Sequence, residues 1–438
     1  MKPLYKIAIS KNDIFTISKI SIFMLFLLML WSMLPWFAWG HRREFMLTAF
    51  SSCFLLLRFV LFARDHNKQT IVYSVLIVIA FAFLVNFMVR LRNAGGLLHI
   101  FNFFRVVLVF VFVMAMNRDE KNQIVTMTTS LYAWIMGISM GAYLLFLAGV
   151  NLPYSILTVD NPFYPPFRNY RLFILLDYGG LRGLSQRFQS VFPEPGDVGN
   201  VSALLLYINR YELKRKSVLI IFISVLLSLS LAGFILMFFG YIIQMIVRSK
   251  KIYKTLLKIT VITMLLVSIG FIYYTMNPES LFSRLILSRL EIDDEGGIVG
   301  NNRVTEHFDR FYETHFLTST ENMLWGINLT DGERWVLFGR GGVNSYRVFL
   351  LNNGIVALML LFFMFFSIVA ITPSRLGFGL LVLYSVAFLQ RTQTPFWEMT
   401  LFLFVGAVQY FHTSLAKFQP RGSKRRYLKL HFSQSASS

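Results

Sequence analysis

Charged residues and cysteine are scarce in this chain. Charged side chains make up 15% of its 438 residues, whereas soluble domains carry about 25%. The single cysteine, Cys53, cannot form an internal disulfide and excludes a metal site built from several cysteines. Hydrophobic residues instead reach 56%, with 46 Phe among them. We therefore expect lipid, and not water, to surround most of the chain.

We also expect no cleavable signal peptide at the start of this sequence. The first apolar run, Ile20–Trp39, is long enough to cross a bilayer and lacks a small-residue cleavage site. We expect it to remain as the first membrane anchor.

Long apolar runs follow one another along the rest of the chain and predict an all-α, polytopic membrane protein with about twelve spans. Val198–Ile208 is short for a span. Val218–Val247 is too long for one, and we divide it near Leu231–Gly233 because Ser228, Ser230 and Gly233 permit a tight turn. The predicted spans are Ile20–Trp39, Phe45–Phe62, Ile71–Val89, Leu97–Met116, Thr126–Val150, Val198–Ile208, Val218–Leu231, Ala232–Val247, Ile259–Thr275, Tyr346–Ile371, Leu376–Leu389 and Phe396–Tyr410.

The position of the basic residues indicates the orientation. A formal net charge of +20 would favour a nucleic-acid partner in a soluble protein. With both termini placed in the cytoplasm, however, every lysine falls on the cytoplasmic side, as the positive-inside rule requires. We therefore expect no nucleic-acid partner, and contacts of the short cytoplasmic loops with anionic membrane lipid. The basic segment 417–438 forms a cytoplasmic tail in this arrangement.

Two large loops, residues 151–197 and 276–345, then lie outside the cytoplasm within one membrane domain of residues 1–438. Loops of this length usually carry function. Their cations are arginines alone, and the arginine fork suits phosphate and carboxylate groups. The alternative is that these arginines pair with the acidic residues of the same loops.

The first loop ends in the segment Arg187–Asp197, which leads straight into a predicted span. Pro195 suits a helix start, Asp197 is a candidate cap, and a helix N-terminus attracts anions. Arg187 would add its fork there, and Glu194 could accept a proton from a sugar hydroxyl. The alternative for Glu194 is a helix-terminal charge without chemistry.

The second loop ends in a glycine-rich segment, residues 339–347, which opens another span. Its glycines permit close backbone approach to a ligand, and Arg340 and Arg347 could hold a pyrophosphate there. Asn344 or Ser345 can cap the helix, and an ordinary turn is the alternative. His307 and His315 are eight residues apart, not the four of a helical metal pair. We interpret them as loop residues and predict no metal site.

Three of these segments resemble motifs of the O-antigen polymerase and ligase superfamily. Arg187-x-x-Ser-x-Phe-x-Glu-Pro is similar to that family's Arg-x-x-Gly-x-Phe-x-(Asn/Glu)-Pro, with Ser190 in place of the usual Gly. Leu227–Gly233 resembles its Leu-Ser-x-Ser-Arg-Gly segment. Gly341-Gly-Val-Asn-Ser-Tyr346, followed by Asn353-Gly-Ile, resembles its Gly-x-His-Asn-Ser-Tyr…Gly-Ile signature. The resemblance covers about Arg168 to Phe363.

The resemblance implies a GT-C-like membrane glycosyltransferase of a bacterial inner membrane that needs neither metal nor cofactor. Its donor would be a glycan on undecaprenyl pyrophosphate, and a flippase and a chain-length regulator would work beside it. Glu194, and secondarily His307, would activate the acceptor. Substrate would be bound by Arg168, Arg187, Arg289, Arg340, Asn344, Tyr346 and Arg347.

Two alternatives remain beside a polymerase of repeat units in O-antigen or capsule synthesis. Family ligases carry His before Asn-Ser-Tyr, where this chain has Val343, so a ligase is disfavoured. Arg168 and Arg289 are each followed by Gly at the Arg-x10-Gly spacing described for polymerases, which adds mild support. A flippase fits twelve spans equally well, but transporters place polar sites near the bilayer midplane.

Overall fold

The structure is a computed structural model that describes residues 23, 26–27, 29–33, 118–158, 166–178, 187–291, 305–327, 329, 337, 345–391 and 397–418. Most of these residues are helical. The described helices are α1 (Arg118–Leu147), α2 (Pro195–Ile208), α3 (Lys216–Ser228), α4 (Leu231–Arg248), α5 (Ile252–Met276), α6 (Glu306–Phe311), α7 (Thr320–Trp325), α8 (Tyr346–Ile371), α9 (Arg375–Gln390) and α10 (Glu398–Phe418).

Four of the described helices are long and apolar enough to cross a membrane: Asp119–Leu147, Leu231–Arg248, Ile252–Met276 and Tyr346–Ile371. Shorter apolar helices occupy Lys216–Ser228, Arg375–Gln390 and Met399–His412. Each predicted span from Thr126–Val150 onward coincides with a helix, which confirms these segments as helical. The predicted spans Phe45–Phe62, Ile71–Val89 and Leu97–Met116, and most of Ile20–Trp39, lie outside the described residues.

The mostly helical structure agrees with the all-α prediction, but the first large loop also contains a small three-stranded antiparallel sheet. Its strands are β1 (Ser155–Leu157), β2 (Phe167–Tyr170) and β3 (Leu175–Tyr178), in the order β1-β2-β3. Each strand carries aromatic or aliphatic side chains, which suit a pleated, half-buried surface. A search for long apolar runs does not detect strands of three or four residues.

The break between α3 and α4 lies where the sequence predicted it, within two residues. α3 ends at Ser228, and Leu229 takes a left-handed backbone with φ of 43°. Ser230 then caps α4, because its side chain accepts a hydrogen bond from the Gly233 N–H at 3.3 Å. Such a serine cap satisfies one of the unpaired donors at a helix start.

Helix α2 lies at the centre of the main core, and all of its residues are buried. It packs against α3 and α4. Gly199 on α2 and Gly233 on α4 meet so closely that a Cβ on Gly199 would lie 2.9 Å from the Gly233 Cα. Small residues at a crossing allow two helix backbones to approach, which is a common way to pack helices in membranes. The start of α2 is thereby fixed beside the α3–α4 break.

A second, smaller hydrophobic cluster belongs to the other large loop. It contains Phe308, Tyr312 and Phe316 from α6 and the π-helical turn after it, together with Val348 and Leu351 from α8. Seven residues after Arg347, α8 is interrupted at Gly354, which has φ of 75° and ψ of 174°. The loop is therefore packed against the first turns of α8.

Candidate functional site

Two of the motif-like segments are hydrogen-bonded to each other. The Phe188 N–H donates to the Leu227 carbonyl at 3.1 Å, and the Arg187 Nε–H donates to the Ser228 carbonyl at 3.2 Å. Ser228 is the last residue of α3, so its carbonyl is one that the helix itself leaves unpaired. A cation is also favoured at a helix C-terminus. Arg187 is thus held at the α3–α4 break.

Ser190 occupies a backbone conformation that suits glycine. Its φ is 52°, and it is fully buried. Its carbonyl accepts from the Leu176 N–H of β3 at 2.8 Å, and its hydroxyl is hydrogen-bonded to the Ser139 hydroxyl of α1 at 2.7 Å. The segment before α2 is therefore anchored to the sheet and to α1 at the residue where the resembling family motif has Gly.

Glu194 is the N-cap residue of α2, and Pro195 is its first helical residue. The Pro195 prediction is confirmed. The expectation that Asp197 caps the helix was wrong, because Asp197 lies within the first turn. The Glu194 side chain makes no capping hydrogen bond either. Both carboxylates are directed instead to a cation from the end of α9.

That cation is Arg391, which the sequence reasoning missed. One terminal nitrogen donates to Glu194 Oε2 and the other to Asp197 Oδ1. The Arg391 and Asp197 side chains are 6% and 8% exposed, whereas Glu194 is 37% exposed. A Cβ on Gly196 would lie 2.1 Å from Arg391 Nη2, so only glycine leaves room for the guanidinium. We call Glu194, Asp197 and Arg391 the carboxylate–guanidinium cluster.

Only a weak signal in the sequence could have revealed Arg391. It directly follows the apolar run Leu376–Leu389 in a short connection that the predicted topology places outside the cytoplasm. An arginine at such a place is ordinarily an interfacial side chain. Its partners lie 194 and 197 residues away in the chain, at Asp197 and Glu194.

Arg168 lies in the middle of the sheet, half-buried on β2. It is opposite Asp177 in the register of β2 and β3, and its guanidinium carbon is 5.0 Å from the Tyr154 ring centroid. Burial raises the pKa of Tyr170, so this hydroxyl remains neutral. The nearby Arg168 guanidinium lowers the pKa of the Tyr170 hydroxyl, but by less than burial raises it. Arg168 thus lies opposite an acidic residue across the strand pair and close to an aromatic ring of its own loop.

Arg347 connects α8 to the second loop. Its Nη1 donates to Asp309 Oδ1 at 2.7 Å, and its guanidinium carbon is 5.6 Å from the Tyr312 ring centroid. Burial raises the pKa of Tyr312, so the ring beneath the guanidinium is a neutral phenol. Both members of the ion pair are about two-fifths exposed, at 40% and 42%. Ser345 is the N-cap residue and Tyr346 the first residue of α8.

The remaining predicted residues are distributed over the second loop. His307 is exposed on α6, the short helix that also carries Asp309, so it is helical and not a loop residue as predicted. His315 lies in the π-helical turn and stacks on Phe311 at 4.4 Å. Arg289 lies in a single 3-10 turn, Ser288–Leu290. Arg340 and Asn344 lie outside the described residues.

The predicted residues therefore form separate groups in the described part of the chain. Arg187 and Glu194 both precede α2, within its buried surroundings. Arg347 binds Asp309 of α6, and His307 lies exposed on the same short helix. Within the described ranges, no three His, Cys, Asp or Glu side chains come together as a metal-ion site.

Comparisons of the chain with protein-family models, with curated proteins and with solved structures each gave no match.

Proposed function

We propose that the chain is a membrane polymerase that joins oligosaccharide repeat units carried on undecaprenyl pyrophosphate, at the periplasmic face of a bacterial inner membrane. The observation that carries the proposal is the pairing of two motif-like segments. Arg187 and Phe188 hydrogen-bond to Ser228 and Leu227, so two stretches that resemble one family's motifs meet in space. The left-handed backbone of Ser190, where the family motif has Gly, adds to this support.

The pattern of contacts also supports the predicted sidedness. Arg391 and Glu194 lie in connections that the topology places outside the cytoplasm, and they form an ion pair. At the other end, the Tyr207 hydroxyl donates to the Leu376 carbonyl at 2.9 Å, and both residues lie at predicted cytoplasmic ends of α2 and α9. Contacts between segments predicted on opposite sides would have argued against twelve spans.

The proposed reaction is a glycosyl transfer. A hydroxyl oxygen of the non-reducing sugar of an incoming unit attacks the anomeric carbon of the growing chain. The bond from that carbon to the undecaprenyl pyrophosphate oxygen breaks, and the pyrophosphate leaves with the bonding electrons. Glu194 receives the hydroxyl proton. The arginines Arg187, Arg289, Arg340 and Arg347 stabilise the departing negative charge or hold acidic sugars, and Arg168, Asn344 and Tyr346 complete the proposed substrate contacts.

The proposed function can be tested with the purified full-length protein. Reconstituted into lipid nanodiscs with repeat units on undecaprenyl pyrophosphate, isolated from a strain that lacks the gene, it should produce a ladder of polymers and release undecaprenyl pyrophosphate. A gel of the deletion strain separates the alternatives. Loss of a polymerase leaves one repeat unit on the lipid core; loss of a ligase or a flippase leaves none. With a ligase, polymer also accumulates on the carrier lipid.

Arg187→Ala tests the role of the first motif. Removal of one charge-stabilising donor should lower the rate of polymerisation by about 100-fold or more, because such donors act mainly in the transition state. Arg310→Ala is the matched control, since Arg310 also lies in a large loop but is 71% exposed and pairs with Glu306 on its own helix. A normal long-chain ladder from Arg187→Ala would remove Arg187 from the proposed site.

A further inference from the structure

We propose that Arg391 is the positioning residue that holds Glu194 in place for proton transfer in the polymerisation reaction. This inference rests on the proposed function and assigns a role to a residue at the end of α9, far along the chain from the motif it supports. The observation behind it is the forked contact of one buried guanidinium with two carboxylates at the start of α2.

Arg391 is itself too buried to be a substrate ligand. Its side chain is 6% exposed, and its backbone N–H donates to the Ala387 carbonyl at 2.7 Å, which fixes the residue at the C-terminus of α9. A lipid-borne diphosphate or sugar would have to reach past the carboxylates to touch it. We therefore expect Arg391 to act on the reaction through the carboxylates that it binds, Glu194 and Asp197.

The two carboxylates are not equivalent. Asp197 is 8% exposed and Glu194 is 37% exposed. A planar guanidinium presents its donors in a fixed fork, so binding Asp197 with one terminal nitrogen sets the direction of the other. Asp197 is thus the buried anchor of the cluster, and Glu194 is the member that a ligand can reach.

The surroundings leave the fork little freedom. Gly196 lies between the two acidic residues, and a Cβ there would be 2.1 Å from Arg391 Nη2 and 2.8 Å from its guanidinium carbon. The Glu194 side chain makes no hydrogen bond that caps α2. It is directed instead to the buried guanidinium of Arg391, which reaches it from the end of another helix.

The required geometry explains why such a support matters. A proton acceptor must lie within hydrogen-bond reach of the attacking hydroxyl, and displacement by about 1 Å can cost about 100-fold in rate. A glutamate side chain has three rotatable bonds, so an unsupported carboxylate would sample many positions. Arg391 restricts the rotation of the Glu194 side chain by binding its carboxylate. The opposite charges of Arg391 and Glu194 also balance each other inside the protein.

The experiment separates positioning from simple charge balance. Arg391→Gln alone would leave the buried Asp197 carboxylate without this cation. The loss of one member of a buried ion pair strongly destabilises a protein. The double variant Arg391→Gln/Asp197→Asn removes that charge while keeping Glu194. Its rate is measured against Asp197→Asn, with purified full-length protein in nanodiscs and repeat units on undecaprenyl pyrophosphate. We expect kcat to fall about 100-fold and KM for the lipid-linked unit to stay unchanged.

Each result has a defined meaning. Equal kcat in the double variant and in Asp197→Asn, at equal protein level, would overturn the inference. If the double variant does not accumulate in the membrane, Arg391→Lys provides the test. A lysine ammonium lacks the forked donors of arginine, so kcat should fall while KM stays unchanged. A wild-type kcat in Arg391→Lys would overturn the inference. Arg375→Gln, an exposed arginine at the other end of α9, should behave as wild type. If the wild-type protein makes no polymer, the proposed function itself fails.

Discussion

The backbone of Ser190 is strained for a residue that is not glycine. A left-handed conformation costs an L-residue about 1–2 kcal/mol, and Ser190 holds it with φ of 52°. Its hydrogen bonds to Ser139 and Leu176 offset part of that cost. The local arrangement before α2 is therefore maintained by partners on α1 and β3.

Substitutions at Ser190 should separate these two contributions. Ser190→Gly relieves the strain and loses the hydroxyl bond, each worth about 1 kcal/mol, so the free energy of unfolding should change by less than about 1 kcal/mol. Ser190→Val adds a β-branched side chain at positive φ in a fully buried position and should destabilise by at least about 2 kcal/mol. Thermal unfolding in detergent measures both. Equal stability of the two variants would show that the backbone conformation carries no cost.

Gly196 tests the space beside the cluster. Gly196→Ala places a methyl group against Arg391 and should displace the guanidinium, so we expect a loss of about 3 kcal/mol in stability, as for breaking a buried ion pair. Gly141→Ala is the matched control, because a Cβ there meets nothing within 4 Å on α1. Thermal unfolding and membrane levels of the two variants give the comparison. Similar values for both variants would contradict the close packing around Arg391.

At the scale of elements, the interruption of α8 is the feature that joins the second loop to the membrane domain. The carbonyl of Leu351, which a continuous helix would use internally, accepts from the Ile327 N–H at 2.6 Å. A Cβ on Gly354 would lie 2.1 Å from the Leu324 carbonyl oxygen, so α7 and α8 touch through their backbones. Non-helical backbone within a membrane-spanning segment is tolerated where protein covers it.

Gly354→Ala should detach α7 from α8. Alanine is disfavoured at φ of 75° and its methyl group would collide with Leu324. We expect hydrogen exchange of the Ile327 amide to accelerate by about 30-fold, which corresponds to about 2 kcal/mol of local stability. Gly270→Ala on α5, where the nearest atom is 3.6 Å away, provides the control. Unchanged protection of residues 320–327 would show that the glycine contact does not hold the two helices together.

At the scale of the whole molecule, the proposed orientation puts the two large loops on the side opposite the lysines. Helix α5, whose residues are all at least partly exposed, carries Lys254 and Lys258 in its first two turns and ends at the second loop. Its apolar surface suits lipid along its length, since lipid chains require no polar partner. A single helix of this kind offers a direct test of sidedness.

Cysteine labelling checks that orientation. In a Cys53→Ala background, Glu313→Cys should react with a membrane-impermeant maleimide in intact spheroplasts, because Glu313 is exposed in the second loop. Lys254→Cys, exposed near the start of α5, should react only after the membrane is opened. The opposite pattern would place the carboxylate–guanidinium cluster in the cytosol and exclude a periplasmic polymerase.

Apolar runs and the residues that interrupt them are local properties of the chain, so the sequence by itself determined the described long helices, the α3–α4 break at Leu229 and Ser230, and the proline start of α2. It gave no means to find the sheet, whose strands are too short to stand out against an apolar background. The Arg391 contacts and the docking of α7 onto Gly354 were decided by tertiary structure. Which residue contacts a charged side chain or an interrupted helix depends on which helix ends lie together. Packing between segments that are distant in the sequence decides this, so local sequence patterns do not reveal it.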